Sequence, residues 1–294
     1  MVAPTPRARA WAQWRHLFST MATRTPAPLS AASDAGADAE TLRPSDSHVQ
    51  SFARGLAVLR SFGADAPTLT LTQAAERTGL TRAGVRRILL TLQGLGYVAL
   101  EGRDFRLTPK VLELGFAYLA AQPWWHVAQP LMEELTQTLH ESTSAAVLDG
   151  DDIVYVLRVP AHKIMSINLG VGSRLPAHCT SMGRVLLAAL PEDERERRVA
   201  AMDLGARTSR TVTDPDKLLQ VLSQVRRKGW ALINEELEVG LISLAVPICD
   251  RSGRVVAAIN VSSQPQRRNA TAMQEQCLPA LLAVAQRIGE VLPR

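Results

Sequence analysis

Cysteine is scarce in this sequence. Its 294 residues include only Cys179, Cys249 and Cys277, and their wide spacing forms neither a CxxC pair nor a zinc-finger pattern. An odd number of cysteines also argues against a scaffold built only from disulfides, so a reducing cytoplasm is the simplest interpretation. We therefore expect a cytoplasmic protein without a metal site, and no pattern predicts a cofactor.

Long apolar runs are absent as well. No stretch approaches the roughly 18 consecutive apolar residues of a membrane-spanning helix, which predicts that no membrane is involved. The chain is nevertheless hydrophobic enough to bury sizeable cores. At roughly one domain per 150 residues, its length predicts two folded units.

Basic residues outnumber acidic residues in one segment of the chain. The formal net charge is +5, and residues 48–122 hold nine basic residues against five acidic ones, whereas residues 123–294 hold nineteen of each. The basic residues of 48–122 are all arginine except Lys110. The excess charge therefore lies in one segment, as attraction to nucleic-acid phosphates would require.

That basic segment contains Leu71–Leu92, which predicts two short helices joined by a tight turn at Gly79. In the second helix, Val85, Ile88, Leu89 and Leu92 recur at the spacing of one buried face. Arginines occupy the opposite face, which is typical of a helix-turn-helix whose second helix enters the DNA major groove. An ordinary helical hairpin with a solvated arginine face is the alternative.

The flanking segments complete this unit. Residues 50–62 predict a first helix with Phe52, Leu56, Leu59 and Phe62 on one face, and Thr70 or Thr72 is the expected N-cap of the next. After Gly96 the pattern alternates with period two, which predicts a β-hairpin, or wing, of strands Tyr97–Leu100 and Asp104–Leu107. Residues 108–122 predict a connecting helix and part of a dimer surface. The predicted DNA-contacting residues are Thr81 (also the N-cap of the second helix), Arg82, Gly84, Arg86, Arg87, Arg103 and Arg106.

Gly84 is unusual because glycine in a helix interior costs about 1 kcal/mol relative to alanine. It either allows the backbone to approach DNA closely or is a neutral position.

The second unit begins near Trp124 and mixes strands with separate helices. A helix over 124–140 precedes strands at Thr143–Leu148, Ile153–Val159 and Ile164–Leu169, and a loop at 170–172 precedes the helix Thr180–Leu190. Helices are predicted over 192–202, 214–228 and about 271–292, and strands at Trp230–Asn234, Leu241–Ile248 and Val255–Ser262. This order indicates an α+β domain built on an antiparallel sheet.

Taken together, the two halves resemble the IclR family of bacterial transcriptional regulators over residues 49–292. The resemblance rests on SFARGLAVLRSF, the helix-turn-helix, GYVALEGRDFRLTPKVLELG, LPAHCTSMGRVLLAAL, NEELEVGLISLAVPI and AAINVSS. The segment INLGVGSRLPAHCTSMGRVLLAAL is most similar to the Pca/Pob branch, which controls catabolism of protocatechuate and para-hydroxybenzoate. The resemblance implies a winged helix-turn-helix over 48–107, a linker helix over 108–122 and a GAF-like effector domain over 123–294. It also implies homodimers or homotetramers on palindromic operator DNA.

A ligand site is predicted at the start of the helix that follows Pro176. Helix N-termini expose unpaired N–H groups and bind anions, although capping by Thr180 or Ser181 explains those residues equally simply. The resemblance implies that small carboxylates bind between this helix start and the facing strands. Carried over by position, the implied effector-binding residues are Ser181, Met182, Ile233, Leu241, Ser243, Asn260 and Ser262.

Two departures from the family bear on the ligand. Some members have a cysteine at position 243 and an acidic residue at position 233, where this chain has Ser243 and Ile233, so a flat and more apolar ligand such as an aromatic acid is expected. A dicarboxylic acid, or the effector of a different small-carboxylate pathway, is the alternative. His178 either donates to a phenolic oxygen or holds its loop in place. Arg158 either pairs with a ligand carboxylate or is solvated or salt-bridged.

Residues 1–47 are rich in Pro, Ala, Ser and Thr, and no acidic residue precedes Asp34. This composition resembles an organelle transit peptide, but the bacterial resemblance favours a disordered extension or an upstream start codon with Met21 as the true initiator.

Two rival functions remain. Cys179 near a helix N-terminus, next to His178, suggests an enzyme, but no spacing positions a third catalytic group. A sensor that has lost DNA binding is disfavoured by Arg82, Arg86 and Arg87. We expect instead that two protomers pair through their winged units, and that an effector changes the spacing of those units.

Overall fold

The structure of the protein is a computed structural model that describes residues 49–121, 124–161 and 169–292. These residues form two compact units, which divide between Ala121 and Gln122. The extension predicted over 1–47, and most of the strand predicted at Ile164–Leu169, lie outside the described residues. Leu169 itself is not part of a strand.

The described part of the first unit contains four α-helices and a small antiparallel sheet with the order β1-β3-β2. Its helices are α1 (Gln50–Arg60), α2 (Leu71–Thr78), α3 (Arg82–Gly94) and α4 (Leu112–Ala120), and α4 follows a 3-10 turn at Pro109–Val111. Its strands are β1 (Thr68–Thr70), β2 (Val98–Glu101) and β3 (Asp104–Leu107). The predicted helix-turn-helix and wing are both present.

Local sequence explains the turns of this unit. The Thr70 side chain caps α2 in a reciprocal capping box with Gln73, which decides between the two predicted N-caps. Gly79 ends α2 with a φ of 66°, a left-handed conformation that glycine adopts without strain. The Thr81 side chain caps α3, as predicted.

The buried face of α1 differs from the prediction. Val58 is fully buried and Phe62 nearly so, whereas Phe52 is 66% and Leu56 is 42% exposed. The helix ends at Arg60, so Phe62 joins the core from beyond it, and the predicted stripe of four residues does not lie on one core-facing surface.

The short strand β1 was not predicted. Its three residues pair with β3, with Leu69 opposite Phe105, and both side chains are buried. A three-residue strand next to Pro67 is too short to show alternation in sequence, so only its partner reveals it.

The second unit contains a six-stranded antiparallel sheet with the order β6-β5-β4-β9-β8-β7. Its strands are β4 (Ser142–Asp149), β5 (Asp152–Val159), β6 (Arg174–Pro176), β7 (Ala231–Asn234), β8 (Ile242–Cys249) and β9 (Val255–Ser263). The helices are α5 (Trp124–Leu139), α6 (Ser181–Ala189), α7 (Glu192–Ala201), α8 (Pro215–Lys228), α9 (Ala270–Ala272) and α10 (Leu278–Gly289). The expected α+β class and antiparallel sheet are confirmed.

Helices cover both faces of this sheet. Helix α6 packs on β8, β9, β4 and β7, while α10 packs on β8 and against α5. Along β8 the side chains alternate, so that Ile242, Leu244 and Val246 face away from the side that Ser243 occupies. The final helix is interrupted, because a π-helical segment (Met273–Cys277) separates α9 from α10 just before Pro279.

Candidate functional site

Helix α3 presents a cationic face. Val85 and Leu89 are fully buried on its inner side, and Arg82, Arg86 and Arg87 are exposed on the other. Within the part of the chain that the structure describes, no carboxylate lies within salt-bridge distance of these three guanidinium groups. The face is therefore available to phosphate oxygens and base edges.

Gly84 lies in the first turn of α3, where its N–H donates to Thr81 Oγ1 at 3.2 Å. A β-carbon at this position would lie 3.1 Å from the same oxygen, so glycine fits the capped turn closely. This close approach gives Gly84 a role within the helix that neither interpretation of the sequence included.

The two wing arginines differ. Arg103 lies in the exposed hairpin turn, whereas Arg106 Nε donates to Glu101 Oε1 at 2.5 Å across the hairpin. A phosphate contact by Arg106 would compete with this ion pair, and one by Arg103 would not.

In the second unit, the fold brings four of the implied effector residues into one hydrogen-bonded cluster. Ser181 begins α6, Ser243 lies on β8, and Asn260 and Ser262 lie on the same face of β9. Ser181 Oγ is 2.7 Å from Ser243 Oγ, and Asn260 Nδ2 donates to Ser243 Oγ at 2.9 Å and to Ser262 Oγ at 3.1 Å. These four residues, which we call the serine–asparagine cluster, connect the helix start to the sheet.

The cluster is buried and incomplete. Ser181, Ser243 and Asn260 are each at most 6% exposed, and Asn260 Oδ1 has no hydrogen-bond partner among the described residues. Buried polar atoms are normally satisfied, so Asn260 Oδ1 is an acceptor that a ligand or a water molecule can use.

The other three residues that the family resemblance implies, Met182, Ile233 and Leu241, have apolar side chains. Ile233 on β7 is opposite Ser243 and buried, and Met182 is buried in the core beneath α6. Leu241 is half-buried just before β8, where its carbonyl accepts from Glu235 N at 2.8 Å. None of these three side chains can donate a hydrogen bond, and the only acceptor among them is the weakly accepting sulfur of Met182.

Arg158 is hydrogen-bonded to Ser144, a residue at the edge of the serine–asparagine cluster that the sequence did not lead us to predict. Ser144 on β4 is paired with both Arg158 and Asn260, and Arg158 Nη1 donates to Ser144 Oγ at 3.4 Å. Ser142 and Ser144 lie two residues apart and so share one face of β4, while Thr143 between them faces Thr136 on α5, and this polar pair could have indicated Ser144.

His178 lies in the 3-10 turn Ala177–Cys179 and is buried. Its Nε2 is 3.2 Å from Gly205 O, and because a carbonyl only accepts, Nε2 carries the proton. Burial, with the nearby charges of Arg184 and Arg207, lowers the pKa of His178 and favours the neutral ring. Nδ1 is then a buried acceptor without a partner in the described chain, so in this tautomer His178 accepts hydrogen bonds and does not donate to a phenolic oxygen.

A buried ion pair supports the helix start. Arg184 on α6 is 4% exposed, and it donates through Nη1 and Nη2 to the Glu236 carboxylate and through Nε to His178 O. Sequence reasoning missed this pair, although a single arginine within the apolar helix SMGRVLLAAL is a signal that its charge is neutralised.

Cys179 does not have the properties of a nucleophile. It is fully buried, and burial raises the pKa of its thiol to about 11, so the thiolate is rare near neutral pH. Among the residues that the structure places, no three His, Cys, Asp or Glu side chains gather as metal ligands. No helix in that part of the chain is long and apolar enough to cross a membrane.

Two family models match this chain. Residues 51–102 match the IclR helix-turn-helix domain, and residues 116–290 match the C-terminal domain of bacterial transcriptional regulators of the IclR type.

Named relatives agree with the family models. The Pca regulon regulatory protein of Pseudomonas putida is 47% identical over 236 residues, which are 80% of this chain and 81% of that protein. The p-hydroxybenzoate hydroxylase transcriptional activator of Acinetobacter baylyi is 36% identical over 258 residues, 86% of this chain and 95% of its own.

A solved structure shares the fold. The IclR homologue of Microbacterium hydrocarbonoxydans, crystallised with 4-hydroxybenzoate, superposes with a TM-score of 0.72 at 28% identity and covers 81% of this chain and 97% of its own. The relatives are named as regulators rather than enzymes, which agrees with the buried thiol of Cys179. The chain belongs to the IclR family of DNA-binding transcriptional regulators.

Proposed function

We propose that this regulator controls aromatic-acid catabolic genes and binds an aromatic carboxylate at the serine–asparagine cluster. The proposal rests on the buried serine–asparagine cluster, which lies between the N-terminus of α6 and the strands β8 and β9. In this cluster, Asn260 Oδ1 has no hydrogen-bond partner among the described residues. The names of the Pca and p-hydroxybenzoate relatives supply the pathway class.

The helix start suits a carboxylate. The Thr180 side chain accepts from Gly183 N and its carbonyl accepts from Arg184 N, while the N–H groups of Ser181 and Met182 have no partner among the residues described. Two free N–H groups and the helix dipole attract an anion without a cationic side chain. The buried apolar residues Met182 and Ile233 favour a flat ring next to that anion.

On the DNA side, we assign Arg82, Arg86 and Arg87 to the major groove, with Thr81 and Gly84 at the start of the same helix. Arg103 on the wing contacts a phosphate, and Arg106 does so only by exchanging its partner Glu101. A cytoplasmic location follows from a DNA target in a bacterial cell.

We propose that α1 and α4 form the dimer surface. None of the α4 side chains is buried, although it carries Leu112, Leu114, Phe116 and Tyr118, which are 48% to 72% exposed. Phe52 and Leu56 on α1 are exposed as well. Apolar surface of this size on two helices of a small unit favours a second protomer as its cover. The predicted domain limits of 48–107, 108–122 and 123–294 are part of this proposal.

The test is a DNA-binding titration with and without acids. An operator is first selected from random DNA, and its affinity is then measured by fluorescence anisotropy with protocatechuate, 4-hydroxybenzoate or 3-oxoadipate present. We expect protocatechuate or 4-hydroxybenzoate to change the affinity, and Ser181→Pro to abolish that response while DNA binding without acid persists. A response to 3-oxoadipate alone contradicts the aromatic part of the proposal. A protein that binds DNA and responds to none of these acids at saturation contradicts the proposal.

A further inference from the structure

An exposed leucine lies among the arginines of α3. Val85 and Leu89 on the inner side of this helix are fully buried, whereas Leu90, the residue after Leu89, is 42% exposed. Leu90 follows Arg87 by three positions and Arg86 by four, so at 3.6 residues per turn the three side chains are neighbours on the outer face. The cationic face of α3 therefore includes a large apolar side chain.

Leu90 takes no part in the described core of the first unit. Ile88, two residues earlier, packs against that core, but Leu90 belongs neither to the buried cluster nor to the half-buried apolar residues around it. The next residue on the same face is Gly94, one turn further on, where a β-carbon would meet no heavy atom within 4 Å. A single exposed leucine is ordinary on a protein surface, so the informative feature is its position beside two arginines and a glycine.

The neighbouring charges decide which partner suits this face. Covering Leu90 with a second copy of the chain would also bury Arg86 and Arg87, and neither guanidinium has a carboxylate within salt-bridge distance in the described chain. Two such faces in contact would bring their arginines together, which like-charge repulsion opposes. DNA instead supplies phosphate oxygens and base edges to the arginines, and its major groove presents an apolar group, the C5-methyl of thymine. The face is therefore complementary to major-groove DNA that contains thymine.

We infer that Leu90 is a specificity-determining residue, which contacts the methyl group of a thymine beside the base pairs that Arg86 and Arg87 reach. The inference rests on the proposed placement of α3 in the major groove and names a base that this helix selects. Leucine has no hydrogen-bonding side chain, so it distinguishes thymine only through the methyl group, which the other three bases lack. The operator is therefore expected to carry a thymine in each half-site.

The experiment removes the methyl group without changing the base pair. An operator is selected from random DNA with the full-length protein, and each thymine of a half-site is replaced in turn by deoxyuridine, which pairs like thymine but lacks the methyl group. We expect one of these replacements to weaken binding about fourfold in fluorescence anisotropy, the effect of no longer burying one methyl group. Equal affinity after every replacement, or a selected operator without thymine in its half-sites, overturns the inference and leaves the proposed DNA binding by α3 standing. If the protein selects no operator at all, the proposed function fails together with this inference.

Variants then assign the thymine preference to one side chain. Leu90→Ala should bind the thymine and deoxyuridine operators equally, whereas Leu90→Met, which keeps a long apolar side chain, should retain the preference for thymine. Leu95→Ala is the matched control, because Leu95 is 55% exposed but lies just beyond the last residue of α3, and it should also retain the preference. A preference that survives in Leu90→Ala, or that is lost in Leu95→Ala instead, overturns the assignment. So does the loss, in Leu90→Ala, of an oligomer that the wild type forms, measured by sedimentation velocity, since Leu90 would then belong to a protein interface.

Discussion

The guanidinium of Arg184 and the carboxylate of Glu236 form a bidentate pair, with Nη1–Oε1 at 2.9 Å and Nη2–Oε2 at 2.5 Å. The pair joins α6 to the loop between β7 and β8, and both side chains are largely buried. Glu236 also accepts from the backbone N–H of Val212, so a third segment depends on the same carboxylate.

Replacing Arg184 alone should lower the free energy of unfolding more than replacing both Arg184 and Glu236. Arg184→Ala leaves the Glu236 carboxylate buried and unpaired, and we expect the free energy of unfolding to fall by about 3 kcal/mol. The double variant Arg184→Met, Glu236→Met should recover part of this loss because no charge remains buried. Urea unfolding of the two variants and the wild type measures the difference. A double variant less stable than Arg184→Ala would contradict this account of the pair.

The exposed arginines of α3 should determine the salt dependence of DNA binding. An arginine that binds a phosphate contributes about 1 to the slope of log K against log salt, so its replacement by alanine makes the slope shallower by that amount. We expect this for at least one of Arg82, Arg86 and Arg87, while replacement of an arginine that reads a base weakens sequence preference instead. Anisotropy titrations at several salt concentrations provide the slopes. Arg227→Ala, an exposed arginine on α8, is the charge-matched control, and an equal change there would remove the assignment to α3.

Gly183 should not tolerate a side chain. A β-carbon at this position in α6 would lie 2.2 Å from the carbonyl oxygen of Ala177, a backbone atom that cannot rotate away. Gly183→Ala should therefore lower the free energy of unfolding by about 3 kcal/mol through overpacking. Gly94→Ala is the matched control at the end of α3, where a β-carbon meets nothing within 4 Å, and it should remain within about 1 kcal/mol of the wild type. Equal stability of the two variants, measured by thermal unfolding, would refute the close approach.

His178 should make the second unit sensitive to acid. Its pKa in the folded protein lies below the usual 6.5, so the unfolded chain takes up the proton first. The stability contributed by the neutral ring is complete above pH 6.5 and is lost as the pH falls through the folded pKa. We expect the free energy of unfolding to fall more between pH 7.5 and pH 5 in the wild type than in His178→Gln. Parallel losses in both proteins would show that other groups cause the acid sensitivity.

The fold was largely predictable because its elements carry strong local signals. The capping residues Thr81 and Gly79, and the apolar face with Val85 and Leu89, define the helix-turn-helix without any tertiary information. The unpredicted strands β1 and β6 have three residues each, too few to reveal a period. The prediction that Phe52 lies on the buried face of α1 was wrong because this apolar side chain stays exposed in the first unit.

The candidate site was less predictable from the residues alone. The start of α6 is a local signal, but Ser181 and Ser243 are 62 positions apart, and only the packing of α6 on the paired strands β8 and β9 brings them together. The family resemblance predicted these positions, whereas the hydrogen bonds between them are known only from the interatomic distances in the structure. Arg184 was missed for the same reason, since its partner is 52 residues away.

The strand β1 has a mechanical consequence for DNA recognition. Its last residue, Thr70, pairs with Asp104 of the wing and also caps α2, so one residue belongs to the wing sheet and to the helix-turn-helix. The wing cannot tilt without pulling on the start of α2. Within the first unit, the wing and the helix-turn-helix are therefore coupled, and a displacement of one is transmitted to the other through Thr70.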